Sequence, residues 1–149
     1  MKFTSYLAAI LLLFSFGCGR DKNDCVSASA GSTITVNPGD QPIASSDPTW
    51  NNRIYTISVA DADGNPNNKI KIAISYELTT VSAGLPNPVV QLYDGTVPVS
   101  SPFAACTDAF GQYTLMVGLW SGTGVTYKGN INVYSGTTIP ATATFTVGN

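Results

Sequence analysis

The chain has 149 residues, a formal net charge of −2, no histidine, and 11% charged against 44% hydrophobic residues. So apolar and weakly charged a composition excludes a disordered chain, and the lack of any basic stripe excludes nucleic acid as a partner. Without histidine the commonest metal ligand and the usual general base are both missing, so Ser-His-Asp chemistry is excluded as well.

Met1-Lys2 precedes an apolar run over residues 7–14. That run falls short of the roughly 20 residues needed to span a bilayer. A basic start, a short apolar core and small residues after it read as a secretory signal peptide, residues 1–17. Ser15-Phe16-Gly17-Cys18 resembles the bacterial lipoprotein cleavage motif, which implies lipidation at Cys18. Ser15 and bulky Phe16 depart from that motif, and Ser15 with Gly17 also suits the ordinary signal peptidase, so an unlipidated secreted protein is the alternative. Cysteine parity bears on the choice. The three cysteines are Cys18, Cys25 and Cys106, and an odd one in an exported protein needs a role. With Cys18 lipidated, Cys25 and Cys106 remain to pair in an oxidising compartment. Residues 18–31 then form the lipidated N-terminus and a tether, in which Asp21 and Asp24 balance Arg20 and Lys22. The expected location is outside the cytoplasm, anchored through the N-terminal lipid to a bacterial membrane, the outer one, on its periplasmic or cell-surface side.

Residues 32–149 suit one domain by size. Thr33-Ile34-Thr35-Val36 alternates and stops at the turn formers Asn37-Pro38-Gly39-Asp40. Residues 41–52 read as a polar loop. The most informative stretch follows, residues 54–76. Tyr55, Ile57 and Val59 share one face, and Ile70, Ile72, Ile74 and Tyr76 share another, while Ser58 and Lys71 fall outward. Between the two runs, residues 61–68 are nearly all turn formers, so two half-buried strands are expected, joined by a loop or a short crossover. Residues 77–81 extend the second strand. Residues 89–93 form a short strand ended by Asp94-Gly95, and the prolines of residues 97–102 demand an edge or a loop. Residues 112–119 alternate cleanly, with Tyr113, Leu115, Val117 and Leu119 inward. Residues 125–127, 130–134 and 142–147 complete the series, with Ile131, Val133, Ala143, Phe145 and Val147 inward. Seven or eight short strands separated by Gly, Pro and Asn/Asp clusters predict an all-β sandwich.

Thr56-Ile57-Ser58-Val59-Ala60-Asp61-Ala62-Asp63-Gly64-Asn65-Pro66, together with Thr107-Asp108-Ala109-Phe110-Gly111-Gln112-Tyr113-Thr114-Leu115, resembles the bacterial immunoglobulin-like domains of the intimin and invasin type (Big-1). The likeness spans most of residues 32–147, and residues 124–136 look like the family's penultimate strand. It implies an immunoglobulin-like β-sandwich of about seven strands with a structural, adhesive or protein-interaction role in the envelope. Carboxypeptidase regulatory-like domains share both turns, but the interval from Gly64 to Gly111 is long for them. Cys25, Cys106 and the proline-rich residues 84–102 depart from the intimin and invasin pattern.

Chemistry-bearing constellations are few. Asp61-Ala62-Asp63-Gly64-Asn65 invites a calcium reading, but it lacks the glycine and glutamate positions of an EF-hand loop and reads as a turn. The single glutamate, Glu77, has no second carboxylate near it in sequence, which leaves a glycosidase pair unsupported. The protein is therefore read as non-catalytic, with no cofactor and no metal. Trp120 falls on the outward parity of its strand beside a Gly-rich loop and Tyr127. These two aromatics are the candidate contacts for a glycan or an envelope protein; alternatively Trp120 folds over the end of the sandwich. Phe110 stands at a turn tip, either exposed or tucked against a neighbouring loop.

Overall fold

The structure is a computed structural model, and it describes residues 24–44, 48–82, 85 and 88–148. The expected signal peptide, Cys18 and residues 19–23 of the tether lie outside the described residues. Ten strands form two five-stranded sheets. The first contains β1 (Thr33–Asn37), β3 (Thr49–Ala60), β8 (Gln112–Ser121), β5 (Val90–Asp94) and β6 (Val97–Val99), in the spatial order β1-β3-β8-β5-β6. The second contains β2 (Asp40–Ile43), β10 (Ala141–Val147), β9 (Tyr127–Tyr134), β4 (Lys71–Val81) and β7 (Phe103–Cys106), in the order β2-β10-β9-β4-β7. All pairings are antiparallel except that of β2 with β10. The order β1-β3-β8-β5 facing β10-β9-β4 is the A-B-E-D against G-F-C arrangement of the immunoglobulin fold. An immunoglobulin-like sandwich is thus the fold.

The alternation in the sequence is what builds the core. Tyr55, Ile57 and Val59 of β3, Leu115, Val117 and Leu119 of β8, and Leu92 of β5 line the inner face of the first sheet. Ile72 and Ile74 of β4, Ile131 and Val133 of β9, and Phe145 and Val147 of β10 line the other. All are essentially inaccessible to solvent. Tyr76, expected inward, is only partly buried against this core.

Three further features differ from the sequence reading. Among the described residues ten strands are present where seven or eight were expected. Residues 41–52 are not a loop throughout, because β2 occupies Asp40–Ile43 and β3 already starts at Thr49. Pro42 fits there since β2 lies at a sheet edge and pairs with β10 alone, so no ladder donor is lost on its open side. The runs at 125–127 and 130–134 belong to one strand, β9, with Val125 outside it. Of the two connections expected between β3 and β4, a loop or a short crossover, the structure has the second, and the strands are not hydrogen-bonded neighbours. The connection over residues 61–70 is the crossover, and it carries the chain from one sheet to the other so that the two apolar faces meet across the core.

Candidate functional site

The sandwich has two ends of different chemistry. At the first end lie the end of β3, the starts of β4 and β8, and the end of β7. Cys25 and Cys106 are joined there by a disulfide that closes a sequence separation of 81 residues. Val26 pairs beside it, its N–H donating to the Lys69 carbonyl at 3.0 Å while its own carbonyl accepts from Lys71 N–H at 2.7 Å. The entry of the chain into the domain is therefore fixed at this end, both covalently and by hydrogen bonds. Thr107, also buried here, donates through Oγ1 to the Asn67 carbonyl at 3.1 Å and accepts from Ile70 N–H at 2.9 Å.

Two turns at this end share one construction. In Asp61-Ala62-Asp63-Gly64-Asn65, Asp61 Oδ1 accepts from the N–H groups of Asp63 at 3.0 Å and Asn65 at 2.9 Å. In Asp108-Ala109-Phe110-Gly111-Gln112, Asp108 Oδ1 accepts from Phe110 and Gln112, both at 2.9 Å. Each turn has a glycine in the left-handed region at its fourth position, Gly64 at φ 84° and Gly111 at φ 69°. Such a carboxylate organises its own backbone. The N–H of Asn65, with the other donors of the turn, holds the Asp61 carboxyl below the ordinary carboxylate range. Asp61 is thus committed to its turn, and among the described residues no group of three or more His, Cys, Asp or Glu side chains gathers around a metal-sized site. At the third position the twins differ: Asp63 in one, Phe110 in the other. Phe110 is exposed and not tucked away.

The second end, at the start of β3 and the end of β8, holds Trp120 and Tyr127, and the structure separates their roles. Tyr127 is 1% exposed and cannot contact a ligand, which corrects its assignment as a surface contact. It shares inward parity with Ile131 and Val133, a signal interrupted in the sequence by Gly129 and therefore missed. Tyr127 opens β9, and its hydroxyl donates to the Trp120 carbonyl at 2.7 Å and the Val89 carbonyl at 3.0 Å. A tyrosine at the start of strand F bonded back to upstream backbone is the tyrosine corner of immunoglobulin-like domains. Burial pushes its pKa upward.

Trp120 is partly buried, and its companion is Trp50, which lies in β3 and not in the loop expected over residues 41–52. Trp50 sits opposite Trp120 in the β3/β8 register, with ring centroids 5.7 Å apart and planes at 68°. This edge-to-face arrangement is the favoured one for aromatic pairs. Gly118, next on the same outer face, leaves room for them: an added Cβ would lie 3.3 Å from Trp50 and 3.2 Å from Tyr93. Trp50, Trp120 and Tyr93, with Asn52 beside them, form an aromatic platform on the outer face of the first sheet. Trp50 remains 42% exposed, and the Asn52 side chain makes no hydrogen bond among the described residues.

No protein-family model matches the chain, and no curated protein matches its sequence. Among solved structures, a conjugative transposon lipoprotein from Bacteroides eggerthii superposes with a TM-score of 0.50 at 11% identity, covering 81% of this chain and 100% of that one. A PapD-like domain of human CEP192 reaches 0.47 at 6% identity, covering 82% and 89%. The C. elegans MSP family member WR4 reaches 0.42 at 12% identity, covering 76% and 94%. The last two superpositions are too loose to argue from. The first supports the immunoglobulin-like fold and nothing finer.

Proposed function

We infer that this protein is an exported, non-catalytic lipoprotein of the bacterial envelope whose single described domain is an interaction module. The observation that carries the reading is the polarity of the domain. Its N-terminal entry is held by the disulfide at one end, while the aromatic platform lies at the other end of β3, about 33 Å away at roughly 3.3 Å per residue. A lipid at Cys18 would leave that platform pointing away from the membrane. The disulfide suits an oxidising compartment and so supports export. The outer membrane is the proposed site, and the intimin and invasin type, suggested by the two D-x-x-G turns, is the proposed relationship within the immunoglobulin-like class. Replacement Cys18→Ser is expected to abolish fatty-acid labelling and release the protein from the membrane fraction. Unchanged labelling would overturn the anchoring. Protease added to intact cells then distinguishes a surface module, which is cut, from a periplasmic one, which is spared.

A second reading is favoured by the companionship of Trp50 and Trp120. Two indoles beside the Asn52 amide suit a neutral glycan, since aromatic faces take sugar C–H groups while amides bond hydroxyls. Titration with neutral oligosaccharides should then shift the tryptophan emission, and Trp50→Ala should remove the binding. An emission unchanged across such ligands would leave a protein partner as the occupant.

A further inference from the structure

The two most exposed large hydrophobic side chains among the described residues are Ile139 at 87% and Phe110 at 74%. Both lie at the disulfide end. Phe110 tips the turn between β7 and β8, and Ile139 follows the Ser135–Thr138 turn that joins β9 to β10. That second turn is held to the same end by Ser135, whose Oγ donates to the Lys71 carbonyl and accepts from Ala28 N–H. Val26, 62% exposed, flanks the disulfide itself. Three elements distant in sequence thus project apolar side chains from the end at which the chain enters the domain.

The hydrogen bonds of the turn do not require a phenylalanine at position 110. The twin turn makes the same hydrogen bonds around an exposed Asp63 at the matching position. The Phe110 ring borders a shallow depression with Thr33, Ser58 and Pro66, and most of it still faces water.

We propose that this end of the domain is a bilayer-docking surface, with Phe110 and Ile139 entering the interfacial region of the membrane that holds the Cys18 lipid. The proposal rests on the anchoring at Cys18. Residues 18–23 span at most about 20–22 Å when fully extended, so a lipid at Cys18 keeps this end, and not the aromatic platform, beside the bilayer. Apolar side chains that reach the acyl boundary add to an acyl anchor, since membrane attachment strengthens when two signals act together. Charge decides the lipid class. With the tether included, Asp21, Asp24, Asp61, Asp63 and Asp108 exceed Arg20, Lys22, Lys69 and Lys71 by one charge, so no basic patch draws this end to anionic lipid, the contact is apolar and the surface it fits is zwitterionic. Anionic lipid weakens it at low salt.

The test uses the full-length acylated protein bearing Phe110→Trp, reconstituted in phosphatidylcholine vesicles with brominated acyl chains. Emission from position 110 is expected to be quenched relative to vesicles without bromine, and Ile139→Trp is expected to behave alike. The native Trp50 and Trp120, at the far end, keep their emission in the unsubstituted protein. Adding Phe110→Asp to the Ile139→Trp protein should reduce quenching at 139 without lowering the melting temperature, because the substitution copies the twin turn. A fall in melting temperature would show that Phe110 serves the fold and would overturn the proposal. No extra quenching at 110 in a protein whose intact mass includes the acyl groups overturns the docking and leaves the anchoring standing. A mass without acyl groups overturns both. Unquenched but blue-shifted emission from position 110, with a dimer mass, assigns the surface to a second copy and also overturns it.

Discussion

Gly64 and Gly111 occupy the same position in twin turns, yet their surroundings are not alike. Both have positive φ, where a Cβ costs about 1–2 kcal/mol. Around Gly64 an added Cβ meets nothing within 4 Å, whereas at Gly111 it would lie 2.7 Å from the Val59 carbonyl and 2.8 Å from Asn67 N. Those atoms cannot withdraw freely, because Val59 N–H donates to the Gly111 carbonyl and Asn67 N–H donates to the Val59 carbonyl, each at 2.8 Å. Urea unfolding should therefore show Gly64→Ala losing about 1–2 kcal/mol and Gly111→Ala losing clearly more. Equal losses would mean that the backbone conformation alone matters at both sites. The pattern D-A-x-G was readable at both places in the sequence; the crowding at Gly111 was not, since it depends on residues from the crossover.

At the scale of elements, β3 and β4 test the register of the whole sandwich. Ile57 and Ile72 are fully buried, while Lys71 is exposed and Ser58 is partly exposed on the outer side. Ile57→Ala and Ile72→Ala should each cost about 2–4 kcal/mol, from lost transfer energy and a residual cavity. Ser58→Ala and Lys71→Ala should stay within about 0.5 kcal/mol. A one-residue slip would exchange the faces, so the reverse pattern in chemical denaturation would refute the register. Because the two strands sit in opposite sheets, each isoleucine supports a different ladder. Alternation revealed which way each side chain points, but inward parity is the same whether the neighbour lies beside the strand or across the core.

For the whole molecule, the bond between Cys25 and Cys106 and the buried tyrosines set the response to conditions. On the chain-entropy account, closing a loop of this length restricts the unfolded chain by about 4–5 kcal/mol. Reduction should lower the melting temperature, and the native protein should show no alkylatable thiol at either position. Two reactive thiols before reduction would refute the pairing. Tyr55 responds to alkali. Burial first, and then the negative charge of Asp40, push its pKa up to about 12 from an ordinary 10.0. Below pH 10 the hydroxyl is protonated in both folded and unfolded chains, and its contribution is complete. Between pH 10 and about 12 the unfolded chain releases the proton more readily, so stability falls as pH rises through that window. Urea midpoints measured on either side of pH 10 should show the fall, and Tyr55→Phe should make it shallower.

Legible in the order of residues are the all-β class, the inward residues of the main strands, the principal turns and, given a lipid at Cys18, the pairing of Cys25 with Cys106. Each of these rests on local rules: period-two alternation, the backbone freedom of Gly and Asn/Asp, and parity. Packing in three dimensions selects the crossover over the loop at residues 61–70, sets Trp50 against Trp120 and turns Tyr127 inward to bond the backbone. It alone gathers Val26, Phe110 and Ile139 at the end where the chain enters. These facts depend on which strands share a ladder, and backbone hydrogen bonds between strands are nearly blind to side-chain identity. Neighbours far apart in sequence are therefore chosen by packing across the whole core, and no stretch of residues read alone contains that choice.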